Sequence, residues 1–271
     1  MKEILSFYEK KDEKEIKEIL IGDPKGHVEQ MLELIKDINY SKYAHYAKSI
    51  DPNYEPHLVL ALAIVFHDAG KVFYQGDITA HESLSFKGHE FFSVYLFNEL
   101  KKNVLKNDPN NSLFKNFSYI IEFVIFYHHH AMNIPQRKEI FREIKEEKLR
   151  KNLELLRYFL DQASNFSEIR ENISSETIKS MANTIQKSIY NYDFIKFFRN
   201  EVEKEIERPV WEELQGCAPK LKLSFLTLSA LITVDNIAAS RRSEKDTTEK
   251  IDAFSNAIHD FYDFYLSYRS I

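Results

Sequence analysis

Apolar residues recur along most of the chain with the spacing of one helical face. Between Val28 and Ile38 they fall every three to four positions, which is the period of an amphipathic helix that starts near His27. A second one-sided pattern begins at Leu113 and runs into His128, and a third covers residues 247–269. No convincing strand alternation accompanies them, so the pattern predicts helices and no strands.

Two stretches are predicted to be buried core helices. The run from Leu58 to Phe66 is the longest without a polar residue, and the stretch from Leu221 to Ala239 is also strongly apolar. A helix that is hydrophobic all round belongs in the interior of a protein. The first run is far shorter than the ~20 residues that cross a bilayer, so no membrane association is predicted.

Polar segments between the helices define the predicted organisation. Residues 72–86 are predicted as a loop, and Pro209 with Trp211 as a turn. The stretch 136–207 reads as a helical insertion or lid in the middle third of the chain. The predicted architecture is one all-α domain covering residues 1–271.

Composition agrees with this fold class and limits the function. The 271 residues include only 6 Gly and 7 Pro, too few for the many tight turns of a sandwich or barrel. The net charge of −5 excludes a strongly basic surface for binding nucleic acid, but it does not exclude a local basic cleft. The single Cys217 and a charged N-terminal segment without an apolar core predict a reducing, cytoplasmic location.

Histidines and acids collect at the ends of the apolar helices. Nine of the ten histidines precede residue 131, and a lone carboxylate interrupts the apolar stretch near residue 235. Buried groups of this kind are costly unless they have partners. The candidate ligands are His27, His67, Asp68, His89, His128, His129 and Asp235.

Imidazole and carboxylate groups together favour a divalent transition-metal ion, and no cysteine accompanies them. Adjacent helical side chains diverge by about 100°, so His67 and Asp68 suit one ion plus a bridge to a second. Paired ions about 3.5–4 Å apart are a common device for phosphoester hydrolysis. Lys71, one turn beyond Asp68, is placed to hold a phosphate oxygen.

The ordered set resembles a known superfamily. His27, the sequence HDAGK at residues 67–71 and Asp235 in an apolar helix are similar to the HD phosphohydrolases. The sequence GHE at residues 88–90, Ser93 and the tandem histidines resemble one branch, the CRISPR-associated HD nuclease of type I systems. Because no helicase or phosphate-binding glycine loop is present, the resemblance is to the stand-alone nuclease subunit.

This resemblance implies an HD-domain helical bundle with two divalent ions, of Mn, Fe, Co, Ni, Mg or Zn. His27, His67, Asp68 and Asp235 would hold one ion, and Asp68 would bridge to a second. That second ion would bind His89 and two of three consecutive histidines: His128 and His129, or in the alternative register His129 and His130. Ser240 lies one residue farther from Asp235 than in the family's pattern, so the resemblance assigns it no role.

The implied function is a metal-dependent nuclease acting on single-stranded DNA in antiviral defence, with Asp68 and Lys71 as catalytic residues. A separate helicase and a guide-RNA complex are the implied partners. Two alternatives stay open: an HD-type nucleotide phosphohydrolase or phosphodiesterase acting on a small phosphate ester, and a non-catalytic helical adaptor. The histidines outside the set have no predicted role in the chemistry. His45 is interpreted as a surface or capped histidine, His57 as a residue of a helix N-terminal turn, His81 as a loop residue and His259 as structural.

Overall fold

The computed structural model describes residues 3–11, 14–76, 83–129, 146–190, 194, 197–198, 201–241 and 253–267. These residues form a mostly helical protein, with 74% helix and 6% strand.

The helices that build the core and carry the histidines lie in the first half of the chain. They are α1 (His27–Ile35), α2 (Lys42–Ile50), α3 (Pro56–His67), α4 (His89–Asn107) and α5 (Ser112–Tyr127). Short 3₁₀ segments occur at Ile38–Tyr40 and Ala69–Tyr74.

The second half supplies shorter helices and one long helix. They are α6 (Glu146–Lys151), α7 (Leu153–Ala163), α8 (Ser167–Arg170), α9 (Ser175–Tyr190), α10 (Arg208–Gln215), α11 (Ala218–Ser240) and α12 (Ala253–Phe261). Glu203–Glu207 and Tyr262–Leu266 form single π-helical turns.

Helix α3 is the centre of the core, as its sequence predicts. Every residue from Leu58 to Phe66 is buried. Helices α1, α4, α5 and α11 pack around it. Helix α11 is buried on one side only, since Leu231 is fully buried while Phe225 is 50% exposed.

Among the described residues, two apolar helical stretches are long enough to cross a membrane. They are Pro56–Tyr74 and Ala218–Ser240, with 89% and 56% of the most apolar window buried inside the protein. Core helices of soluble proteins have the same length and composition.

The N-terminal segment forms a β-hairpin, so the prediction of no strands is wrong. Strands β1 (Leu5–Lys11) and β2 (Lys14–Ile19) pair in antiparallel fashion. The first four residues of β2 are exposed, and Glu18 is its one buried residue. The alternation that marks a half-buried strand is therefore missing from β2.

Two further expectations differ from the structure. The predicted loop begins inside a 3₁₀ helix, Ala69–Tyr74, whose Phe73 and Tyr74 are buried. Pro209 and Trp211 lie within α10 and not in a turn, because Pro209 occupies the first helical turn, where a backbone N–H is not needed. Of the predicted insertion, residues 136–145, 191–193, 195–196 and 199–200 fall outside the described residues. Helix α9, which lies in the described part, packs directly on α4.

Candidate metal centre

The residues at the end of α3 place the first two candidate ligands. His67 is the last residue of α3, and Asp68 follows with a backbone conformation (φ −105°, ψ 3°) that ends the α-helix. The 3₁₀ helix Ala69–Tyr74 then turns the chain away. Both side chains stay buried, with His67 fully inaccessible.

Three candidate histidines make the same hydrogen bond to the backbone. Each lies 2.6–2.7 Å through Nδ1 from the carbonyl oxygen three residues earlier. A carbonyl only accepts, so Nδ1 carries the proton and Nε2 of the neutral ring is a free lone pair. The pairs are His67 with Ile64, His89 with Phe86, and His128 with Ile125.

The free Nε2 atoms of these rings face carboxylate oxygens. His89 Nε2 lies 2.7 Å from Asp68 Oδ1, and His67 Nε2 lies 3.4 Å from Asp68 Oδ2. With the ring proton on Nδ1, a buried Nε2 has no proton to donate to these oxygens, and among the described residues the three Nε2 atoms are left without a hydrogen-bond partner. Lone pairs that meet a carboxylate in the interior fit a cation between them, and Nε2 is the usual metal-binding atom of such histidines.

The candidate ligands fall into two groups that share Asp68 as a neighbour. Within each group the ligand atoms lie within 4.8 Å of one another. Metal–ligand bonds of 2.0–2.2 Å require such spacing. The groups are Asp68, His89, His128 and His129 on one side, and His27, His67 and Asp235 on the other.

Contacts between the groups make them one centre. Asp68 Oδ1 faces His89 and Asp68 Oδ2 faces His67, so each carboxylate oxygen contacts a histidine of a different group. The rings of His67 and His128 lie 5.2 Å apart in an edge-on arrangement. This placement suits a carboxylate that contacts two ions.

Burial and neighbouring charges set the protonation of the centre. Burial lowers the pKa of His67 to about 4, and burial together with His128 lowers the pKa of His129 to about 2. Burial opposes ionisation of Asp68, but Lys71 and the neighbouring histidines hold its pKa well below its usual range. Neutral His67 and His129 imidazoles beside the ionised Asp68 form the kind of donor set that a divalent cation needs.

His27 is the exception, because it lies between two carboxylates. Its Nε2 is 2.9 Å from Asp235 Oδ1 and its Nδ1 is 3.3 Å from Glu18 Oε2. Burial disfavours the charged ring, but the hydrogen bonds to Asp235 and Glu18 outweigh it and raise the His27 pKa to about 9. In the metal-free protein a proton on Nε2 therefore occupies the position that a cation would take.

Lys71 contacts Asp68 and the hairpin. Its Nζ donates to Asp68 Oδ2 at 2.6 Å and to the backbone oxygen of Ser6 at 3.1 Å. The side chain is mostly buried, with 11% exposure. The ammonium thus stabilises the ionised Asp68, and its role at a phosphate stays a prediction.

Gly70 and Ser93 bring the two motifs together. A side chain at Gly70 would overlap the carbonyl oxygen of His89 and contact Phe92 and Ser93 at 2.8 Å. The Gly70 N–H donates to Ser93 Oγ at 2.8 Å. Only glycine permits this close approach, which places His89 beside Asp68.

The structure brings together all seven predicted ligands. The alternative register cannot be compared with it, because His130 lies outside the described residues, as does His81. His45 and His259 are exposed, and His57 is half-buried at the start of α3. Ser240 Oγ donates to the Ile237 carbonyl oxygen at 2.8 Å, a contact within its own helix.

Sequence reasoning missed Glu18, which contacts His27, and Ser6, which contacts Glu18 and Lys71. Both lie in the hairpin, where the alternation typical of strands is weak. Phe73 and Tyr74, which follow Lys71, are buried against Phe92 and pack inside the protein.

No protein-family model, no curated protein and no solved structure matches the chain.

Proposed function

We propose that the chain is a metal-dependent phosphodiesterase with an HD-type helical core, acting as a nuclease on single-stranded DNA. One observation carries the proposal: buried Nε2 lone pairs of His67, His89 and His128 converge on the carboxylate of Asp68. Unpartnered lone pairs facing an anion are unfavourable unless a cation lies between them.

The residues divide the work of holding two ions. His27, His67 and Asp235 would hold the first, and His89, His128 and His129 would hold the second, with Asp68 facing both. When bound, divalent ions supply Lewis acidity and neutralise charge on a phosphodiester. Imidazole-rich donors suit Mn, Fe, Co, Ni or Zn, and the carboxylates also accept Mg.

The solvent-facing side of the centre indicates where a phosphate approaches. The Asp235 side chain is 23% exposed, whereas the Asp68 side chain is 3% exposed. His129 is also partly exposed. The substrate would reach the centre past Asp235 and His129, while Lys71 holds Asp68 from the protein side.

The nuclease assignment and its context follow from the resemblance to CRISPR-associated HD nucleases. We propose a cytoplasmic protein that receives single-stranded DNA from a separate helicase and a guide-RNA complex. Support comes from the HDAGK and GHE motifs, because the structure puts Gly70 of the first against His89 of the second.

The test combines metal analysis with cleavage assays. Purified protein loaded with each metal is given single-stranded DNA, duplex DNA and nucleoside monophosphates. We expect two ions per chain and metal-dependent cleavage of the single strand. A protein that binds no divalent ion, or cleaves nothing with any of them, contradicts the proposal.

A second candidate is hydrolysis of a small phosphate ester. The net charge of −5 favours it, since a long polyanion is repelled more strongly than a single phosphate. Turnover of mononucleotides without DNA cleavage would select this function. Any metal-dependent turnover would exclude the non-catalytic adaptor.

A further inference from the structure

His27 is oriented differently from the other candidate histidine ligands with a defined Nδ1 contact. His67, His89 and His128 use neutral backbone carbonyls, whereas the Nδ1 atom of His27 faces the carboxylate of Glu18 at 3.3 Å. Both partners are buried, with His27 at 0% and Glu18 at 7% exposure. A carboxylate behind a histidine fixes its tautomer and makes it a stronger ligand.

A bulge in the hairpin holds Glu18 in this position. Leu5 pairs with Ile19 and Phe7 with Glu18, so Ser6 is the extra residue of β1. The Ser6 hydroxyl donates to Glu18 Oε2. Bulges of this type redirect side chains and are frequent next to active sites.

The same serine reaches the other side of the centre. The Ser6 backbone oxygen accepts from Lys71 Nζ, and Lys71 in turn donates to Asp68 Oδ2. Ser6 therefore connects Glu18 and His27 on one side with Lys71 and Asp68 on the other.

The hairpin is fixed to the segments that carry these ligands. The Gln75 side chain bonds both the N–H and the carbonyl of Leu5, at 3.0 Å each. Leu20 N–H donates to the Ile4 carbonyl oxygen, and Val28 N–H donates to the Leu20 carbonyl oxygen. These bonds connect the hairpin to the start of α1 and to the 3₁₀ helix after Asp68.

We infer that Glu18 is a positioning residue for the ion on the His27 side, held in place by Ser6. It accepts the Nδ1 proton of His27, leaves Nε2 to face the ion, and adds negative charge behind the ligand. The inference rests on the proposed function insofar as the centre binds metal. Loss of such an outer partner typically weakens metal binding 10–100-fold.

The experiment compares Glu18→Gln with Glu15→Gln, which changes an exposed carboxylate of the same strand. Both full-length variants and the wild type are titrated with Mn²⁺, and stoichiometry is read by native mass spectrometry. We expect Glu18→Gln to bind one ion about 10–100-fold more weakly, with the other ion unchanged. Glu15→Gln should match the wild type at both ions.

A merely structural role gives a different result. If Glu18 only supported the fold, Glu18→Gln would lower the thermal midpoint of the metal-free protein and weaken the binding of both ions to the same extent. Nitrogen-15 NMR of the imidazoles in the Zn²⁺-loaded protein adds a direct readout: the His27 Nδ1 signal should move in Glu18→Gln while that of His67 stays. Equal affinity of Glu18→Gln and wild type for both ions would overturn the inference alone.

One outcome would remove both this inference and the proposed function. If the wild type binds no Mn²⁺, both fail together. If Glu18→Gln does not fold, Ser6→Ala provides the test, since it removes only the hydroxyl that donates to Glu18. We expect Ser6→Ala to bind the His27-side ion about fivefold more weakly, the effect of one lost hydrogen bond; unchanged affinity in that variant overturns the inference.

Discussion

Asp68 combines a buried position with contacts to both candidate ligand groups. Its Oδ1 atom lies near His89 and His128, and its Oδ2 atom lies near His67 and Lys71. A buried carboxylate is stable only when it is paired, and the Lys71 ammonium provides that partner. The pairing keeps Asp68 ionised and ready to contact cations.

Replacing Asp68 by Asn should abolish phosphodiester cleavage while the helical fold persists. The amide is nearly isosteric but carries no charge to hold two cations together. We expect a loss of more than about 100-fold in turnover, since losing even an outer partner of a ligand costs 10–100-fold. Cleavage assays and far-UV circular dichroism check the two parts, and near-normal turnover would contradict a shared carboxylate.

His129→Ala should remove one ion and leave the other. His129 belongs to the group with His89 and His128, while the other group keeps His27, His67 and Asp235 intact. Native mass spectrometry should count one ion per chain. His45→Ala, which changes an exposed histidine, is the control and should keep two. Loss of both ions, or of neither, would contradict the division into two groups.

Metal binding on the His27 side should release a proton. The pKa of His27 is raised from 6.5 to about 9 in the metal-free protein, so the ring is charged at pH 7.5 and must deprotonate when an ion binds Nε2. Affinity for that ion should rise about tenfold per pH unit up to about pH 9.

The same pKa shift affects the stability of the metal-free protein. The stability that this shift contributes is complete below pH 6.5 and is lost as the pH rises through about 9.

The proton release is measured by calorimetric titration at pH 7.5 in buffers of different ionisation enthalpy. We expect about one proton to be released when the ion on the His27 side binds. No proton release would show that His27 is not a ligand.

The helices could be predicted from the sequence, and the hairpin could not. Leu58 to Phe66 predicts a buried helix because every position is apolar, and α3 confirms it. Strand β2 has the sequence KEIKEI, and its exposed charged residues are equally compatible with a solvated helix. Its structure depends on pairing with β1 and on Gln75, which lies 70 residues away from Leu5. Glu18 was missed for this reason, since only the folded hairpin brings its carboxylate to His27.

The contact between the 3₁₀ helix and α4 gives a prediction for an element. Gly70→Ala places a methyl group against the His89 carbonyl, so the two segments must separate. We expect a loss of about 1–3 kcal/mol in the free energy of unfolding, together with weaker binding of the ion that His89 would hold. Gly76→Ala is the matched control, because among the described residues nothing lies within 4 Å of its added methyl.

Denaturant unfolding measures the stability of both glycine variants, and Mn²⁺ titration measures the metal. If Gly70→Ala is as stable as Gly76→Ala, the close approach does not position His89. If only stability falls and both ions bind normally, the contact supports the fold but not the centre.

Acidic side chains outnumber basic ones over the whole molecule. The chain has 37 basic and 42 acidic residues, and Lys71, which contacts Asp68 at the centre, is mostly buried and bonded to that carboxylate. Two divalent ions would add four positive charges at the centre and reverse its local potential. Attraction to a nucleic acid would then be concentrated at the metal centre.

This charge distribution predicts weak binding of DNA with a shallow dependence on salt. The slope of affinity against salt counts the phosphates that the protein neutralises, and few are available away from the ions. We therefore expect the isolated protein to act on strands that are already single and to receive them from a partner.

We propose that this partner binds the region 136–207, because that region carries none of the candidate ligands. Titration of labelled single strands and duplexes against Asp68→Asn at several salt concentrations measures both slopes. Tight, steeply salt-dependent binding to intact duplex would show that the protein needs no partner to deliver its substrate.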